Sequence, residues 1–300
     1  MSFERIFDEL EISADPFALC ELQGKCTLGL GGQSGATLHY LLAGKGELVL
    51  KDRPPIPIQA GTLALVPTLH PHTLRSFGAP GNPVPKCHPA ELDLASHLRT
   101  GEDPEQAEKL LAICSHVDVG IRGTGGLVNL VREPIVEQVD EDAMRMPVAS
   151  ILAELSYPKL GSRALIRTLL LQCVIQLLRD RVLANDRAMN WMQALIDEKL
   201  WASLHVMLES PGEHHTVESL ASMAGMSRST FASRFASAYG SGPMELLREL
   251  RMHLAASLLI RSDMPVKRVA ALVGFSSRSA FTRTFTQVTG TSPNQFRANA

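Results

Sequence analysis

An α+β chain with two unlike parts is what the sequence predicts: a β-barrel or sandwich carrying helices in front, and an all-helical rear. Three observations predict it. Residues 25–78 hold the short apolar runs "TLHYLLAG", "GELVLK" and "TLALVP", parted by "GLGGQSG", "GKG" and "RPPIP"; strands and turns alternating about every ten residues favour a barrel or sandwich. Residues 165–178 read as one long apolar helix. A thirty-residue pattern is then written twice, at 217–247 and again at 266–297.

The front elements follow in order. After the strands, residues 78–101 are Pro-rich and irregular, as a long loop would be. "LLAICSHVDVGI" reads as a further strand. A helical stretch spans about 147–186, and its segment "RALIRTLLLQCVIQLLRDR" is apolar over more than one face, as in a helix buried on two sides. Both intradomain core and pairing with a second subunit fit that face. Another helix over 195–208 leads into the repeats, so the chain divides at about 1–190 and 191–300.

Composition narrows the classes. Of 300 residues, 45% are hydrophobic and 20% charged, ordinary for a globular protein with room for two cores. No apolar run reaches the roughly 18 residues of a membrane span, and "MSFERIFDEL" has no hydrophobic signal core. Five cysteines, an odd number widely spread, do not form a disulfide framework. A reduced, cytoplasmic protein is expected. The net charge of −2 conceals an asymmetry: residues 201–300 carry ten basic and six acidic groups, residues 1–200 nineteen and twenty-five. An anionic partner is therefore expected at the rear.

The two repeats match residue for residue. Val217 aligns with Val266, Ala221 with Ala270, and Gly225 with Gly274. After one additional residue in the second copy, Arg228 aligns with Arg278, Phe231 with Phe281, Phe235 with Phe285, Gly240 with Gly290 and Pro243 with Pro293. Each copy reads as a short helix, a turn at Gly, a Ser able to cap, and a second helix: a helix-turn-helix. In the second helix, Phe at i and i+4 bury one side, and the other side is short, polar and basic. Such a face suits the major groove, where Arg reaches guanine or phosphate. The linker helix over 243–263, with Leu246, Leu247, Leu250, Leu254, Leu258 and Leu259 inward, acts as a rigid spacer that sets the two units on successive grooves.

Ala270, Gly274, Phe275, Ser276, Ser279, Phe281, Arg283, Phe285, Gly290, Ser292, Pro293, Phe296 and Arg297 together resemble the signature of AraC/XylS-type transcription regulators. The resemblance implies seven helices over about 200–300, with the third and sixth reading double-stranded promoter DNA. Carried over by position, the readers are Arg228, Ser229, Ala232 and Ser233, then Arg278, Ser279, Thr282 and Arg283. The first set is poor in large polar groups, so shape and phosphate contacts are expected to prevail there. RNA polymerase is a further partner the family implies.

In front, "GTLALVPTLHPH" at 61–72 resembles the second cupin motif, with Leu69 where the motif has its last Gly. His39, with Glu47 eight residues on, stands where the first motif begins, but the usual His-x-His-x3-4-Glu set is incomplete. The arrangement resembles the cupin-sensor branch of these regulators that includes reactive-chlorine-responsive activators, which aligns Cys20 and Cys114 with that branch's cysteines. Cys26 and Cys87 fall outside that alignment, and Cys173 reads as core. Three readings of Cys20, His39, His72 and Cys114 stay open: a zinc site of two thiolates and two imidazoles, a thiol switch, or plain packing.

The expectation is a cytoplasmic regulator, an activator by resemblance and a homodimer in one reading. Its cupin-like domain senses an oxidant, metal or small molecule, and no residue is catalytic. The competing class is a metal-dependent cupin enzyme fused to a DNA-binding domain.

Overall fold

In a computed structural model, residues 3–23, 26–30, 35–77, 86–89, 109–121, 123–138, 141–184, 186, 189, 191–192 and 195–298 are described. The front part begins with α1 (Phe3–Glu9) and β1 (Leu10–Gln23). There follow β2 (Thr27–Leu30), β3 (Ala36–Ala43), β4 (Lys45–Leu50), β5 (Ile56–Gln59), β6 (Thr62–Val66), β7 (His72–Ser76), β8 (Lys86–Pro89), β9 (Lys109–Ile121) and β10 (Ile135–Gln138). They make two antiparallel sheets, ordered β10-β6-β3-β9-β1-β8 and β2-β7-β4-β5.

The strands expected between 25 and 78 are present. β8 lies inside the stretch read as a loop, most of which falls outside the described residues. β1 escaped sequence reading because its alternation is broken: its register with β9 shifts between Pro16 and Ala18. Such a bulge reverses the side on which later residues point.

Period-two geometry sorts these strands into two faces. Cys20 and Leu22, Leu41, Ala64 and Val66, and Leu110, Ala112 and Cys114 point inward from the larger sheet. They meet Leu48, Leu50, Ile58 and Leu74 of the smaller one. The opposite face, with Leu19, Leu111, Ile113, Val117 and Val119, packs under helices. Those helices are α2 (Glu141–Ser156) and α3 (Ser162–Leu183), into which the helical stretch expected over about 147–186 divides. In α3, Ile166, Leu170, Cys173, Val174, Leu177 and Leu178 are buried in one stripe, and Leu165 is 51% exposed. Burial within the chain is thus one-sided, which does not fit intradomain core on both sides and leaves the other face exposed for a second subunit.

Among the described residues from 198 on, the rear part holds seven helices: α4 (Glu198–Glu209), α5 (Val217–Met223), α6 (Arg228–Tyr239), α7 (Pro243–Arg261), α8 (Val266–Leu272), α9 (Arg278–Thr289) and α10 (Pro293–Ala298). α5 and α6 form one helix-turn-helix, α8 and α9 the other. Ser227 caps α6 by accepting the Thr230 N–H, and Ser277 caps α9 by accepting that of Ala280. The additional residue of the second copy thus lies ahead of its cap, which is Ser277 and not Ser276. Gly274 does more than turn the chain: its φ is +78°, and a Cβ there would stand 2.6 Å from the Gly212 carbonyl oxygen.

Phe231, Phe235, Phe281 and Phe285 are fully buried. The linker helix α7 is shared between cores. Leu246, Leu247 and Leu250 join the first unit's cluster, while Met252, Ala255, Ala256 and Leu259 join the second's. Leu254 and Leu258, expected inward, are only half-buried. One helix locked into both cores is what a rigid spacer requires.

Candidate sensor cluster and nucleic-acid interface

The four residues singled out in the front part converge inside the barrel. β3 pairs with β9 so that His39 stands opposite Cys114. Cys20 reaches the same spot from β1, on the other side of β9. His72 opens β7 in the facing sheet. Cys20 Sγ lies 3.0 Å from Cys114 Sγ, and Cys114 Sγ lies 3.2 Å from His39 Nδ1. His39 Nε2 lies 2.7 Å from His72 Nε2, and His72 Nδ1 lies 2.9 Å from the His70 carbonyl oxygen. Cys20, His39 and Cys114 are 0% exposed and His72 is 4%.

Hydrogen-bond chemistry orders the protons along this line. A carbonyl only accepts, so His72 Nδ1 carries its proton and donates to His70. In a neutral ring His72 Nε2 then accepts from His39 Nε2–H. His39 Nδ1 is left to accept from the Cys114 thiol, whose sulfur accepts from Cys20. Both rings are held neutral: burial pushes His39 well below the usual histidine value, with the facing His72 adding to it, and burial likewise lowers His72. Resting thiols on a neutral imidazole relay are the result.

Among the described residues, no three His, Cys, Asp or Glu side chains converge on a single point, since His39 turns one nitrogen to each neighbour. One ion held by all four residues requires that ring to rotate. Glu47 lies apart, with Arg75 Nε donating to its carboxylate at 2.9 Å. Cys87 was set aside in the sequence, yet its Cα is the cross-strand partner of Cys20 on β8. The buried thiol of Cys173 is pushed up to about 12, as for core.

The rear presents a different surface. On α9, Arg278, Ser279 and Arg283 are exposed and Thr282 is half-buried, and these four line an open groove with Thr286 and Gln287. Gln287 escaped the sequence reading, although it lies one helical turn beyond Arg283. On α6, Arg228, Ser229 and Ser233 are exposed and Ala232 is half-buried. Arg228 there pairs with Glu218 of α5 at 2.7 Å, and Arg234 pairs with Asp197. The two second helices differ electrostatically: α6 has its cations engaged, while no acid among the described residues pairs with Arg278 or Arg283.

Two capped helix-turn-helix units on one spacer helix, behind a barrel with a buried polar cluster, define a DNA-binding transcription regulator with a sensing domain. The family models and the named relatives agree. The family model described as Cupin matches residues 3–182, and that described as Helix-turn-helix domain matches 220–299. The HTH-type transcriptional regulator AlkR of Acinetobacter baylyi is 24% identical over 303 residues, 99% of this chain and 98% of that protein. The RCS-specific HTH-type transcriptional activator RclR of Escherichia coli is 37% identical over 119 residues, 40% of this chain and 42% of its own. Among solved structures, the DNA-binding domain of AdpA in complex with a target DNA is 37% identical, covering 36% of this chain and 90% of that one at a TM-score of 0.30. ToxT of Vibrio cholerae covers 97% of both chains at 13% identity and a TM-score of 0.49. The chain belongs to the cupin family and carries a helix-turn-helix domain at its rear, and it is a DNA-binding transcription regulator.

Proposed function

We propose that this regulator reads a small neutral oxidant of the reactive-chlorine class through Cys20 and Cys114. The observation that carries the reading is the 3.0 Å sulfur–sulfur contact beside an imidazole free to accept a proton. In this scheme Cys114 passes its proton to His39 Nδ1 as its sulfur attacks the chlorine of hypochlorous acid. The hydroxide released takes up a proton as water. Cys20 sulfur then displaces chloride from the sulfenyl chloride. Two thiols and one hypochlorous acid give a disulfide, chloride, water and one proton. A disulfide of ~2.05 Å draws the sulfurs about 1 Å closer and strips His39 Nδ1 of its donor. Mass spectrometry after hypochlorous acid treatment, beside a promoter gel shift, tests this. A Cys20–Cys114 bond that changes DNA affinity supports it, a Cys20–Cys87 bond reassigns the partner, and unmodified thiols with unchanged binding reject it.

Zinc on the same four residues is the other reading of their chemistry; zinc analysis of protein purified without chelator decides it. A cleft of about 550 Å³ between β9 and α7 favours a third signal, a small polar molecule. Asn129 Oδ1 and His253 Nδ1 line it and make no hydrogen bond among the described residues.

At the rear, we assign Arg278, Ser279, Thr282 and Arg283 to base and phosphate contacts in one major groove. Arg228, Ser229, Ala232 and Ser233 take the neighbouring groove. The activator role, contact with RNA polymerase, and a cytoplasmic setting that keeps the thiols reduced complete the reading. No helix among the described residues is long and apolar enough to cross a membrane. Tyr157, Leu160 and Leu165 are exposed where α2 meets α3, the place for a homodimer contact; sedimentation of Leu165→Glu against the parent chain tests it.

A further inference from the structure

The turn before β7 departs from its motif at one position, and the departure reaches the other half of the protein. Leu69 stands where the motif has glycine, and its φ is +62°. It is the third residue of a turn closed by the His70 N–H, which donates to the Pro67 carbonyl at 3.3 Å. A left-handed third residue is the reason a glycine belongs there. A bulky side chain in that conformation is uncommon and points to a function for the side chain. Leu69 is only 2% exposed, yet it is not part of the barrel core. It sits in the second helix-turn-helix cluster, among Met252, Ala255, Ala256 and Leu259 of α7 and Phe281 and Phe285 of α9.

We propose that Leu69 is a positioning residue for DNA binding: the sensor barrel plugs its side chain into the core beneath the second DNA-reading helix and so fixes that helix relative to the barrel. The same turn is tied to the Cys/His cluster, because the His70 carbonyl accepts from His72. Any rearrangement at His39 and His72 therefore pulls, as on a lever, on a side chain buried in the cluster that α7 and α9 share. Only the source of that pull rests on the proposed sensor reading; the plug itself stands on packing.

Hydrogen exchange on full-length Leu69→Gly, Leu69→Ala and Leu69→Met tests it. Glycine suits the turn, so the barrel is expected to keep parent protection in β3, β6 and β9. Amides of α8 and α9 should exchange on the order of tenfold faster, as expected when a local unit loses part of its buried contacts. Leu69→Ala should do the same, and Leu69→Met, which refills the space, should restore protection. Unchanged exchange in α8 and α9, a rise spread equally through the barrel, or failure of Met to restore protection would each overturn the plug. The second readout is the ratio of promoter affinities before and after hypochlorous acid, which should fall to one in Leu69→Gly. A persisting ratio in that variant would overturn the lever. A ratio of one already in the parent would overturn the sensor reading and leave the exchange data to decide the plug.

Discussion

His39 and His72 meet ring to ring between the two sheets, Nε2 to Nε2 at 2.7 Å with the ring planes 63° apart. The space between them holds one proton. A second proton there makes His72 a buried cation and sets two N–H groups against each other, so the barrel is built for two neutral imidazoles.

Acid is therefore predicted to destabilise the front domain. Both rings titrate below the ordinary histidine value of 6.5 in the folded chain, whereas the unfolded chain takes up both protons near it. Between those limits the unfolded state binds more protons, so stability is full above pH 6.5 and is lost as pH falls toward the lowered folded values. Each ring contributes up to about 1.4 kcal/mol per pH unit in that window. Urea unfolding at pH 7.5, 6.5 and 5.5 measures it. The double variant His39→Gln, His72→Asn should make the dependence shallower, the remainder coming from His116 and His253, which burial also lowers, and a flat profile in the parent chain would contradict the neutral pair.

How much of this was legible depends on whether the signal is local. The repeated Gly, Ser, Phe and Pro positions are local rules of capping and periodicity, and so they located α5, α6, α8 and α9 closely. The cluster was legible through resemblance: the cupin motifs marked His39 and His72, the sensor branch's pattern marked Cys20 and Cys114, and the sheets bring the four together. The position of Cys87 was not legible, because its register with Cys20 depends on a pairing across more than sixty positions. Nor was the destination of the Leu69 side chain. The sequence marks the missing glycine, but only the packing of the two halves shows which core the side chain enters.

The second reading helix should dominate DNA affinity. Arg278 and Arg283 are exposed and unengaged by acids among the described residues, so either can reach the duplex without first breaking an ion pair. Arg283→Ala should weaken promoter binding by about 1–3 kcal/mol if it reads a base, or lower the salt slope by about one if it holds a phosphate. Fluorescence titration at several salt concentrations separates the two. No change in either quantity would remove Arg283 from the interface.

Glu218 should act oppositely. It holds Arg228 at 2.7 Å on an exposed surface, where such a pair adds at most about 1 kcal/mol. Glu218→Gln releases the cation and removes a negative charge facing the phosphates. Promoter affinity should rise by up to about fivefold, consistent with that energy, with a steeper salt dependence and little change in melting temperature. Lower affinity would mean that the pair positions Arg228 for the groove.

The first unit is held to the barrel by a polar contact where the second has an apolar plug. Arg132, just before β10, donates to Ser241 Oγ and to Glu249 Oε2, each at 2.6 Å. Burial raises the Glu249 carboxyl above its ordinary 4.5, and the Arg132 guanidinium opposes that rise. Arg132→Ala should then cost about 1 kcal/mol, the scale of a partly solvated charged pair. The cost should shrink as pH falls through the raised Glu249 value, because a protonated carboxyl no longer attracts the guanidinium. Comparing Arg132→Ala, Glu249→Gln and the double variant by urea unfolding isolates the pair, with a coupling of about 0.5–1 kcal/mol expected at pH 7.5 and less at pH 5. Additive losses at pH 7.5 would show that Arg132 and Glu249 are neighbours without coupling, and the first unit would then be held to the barrel by apolar packing alone.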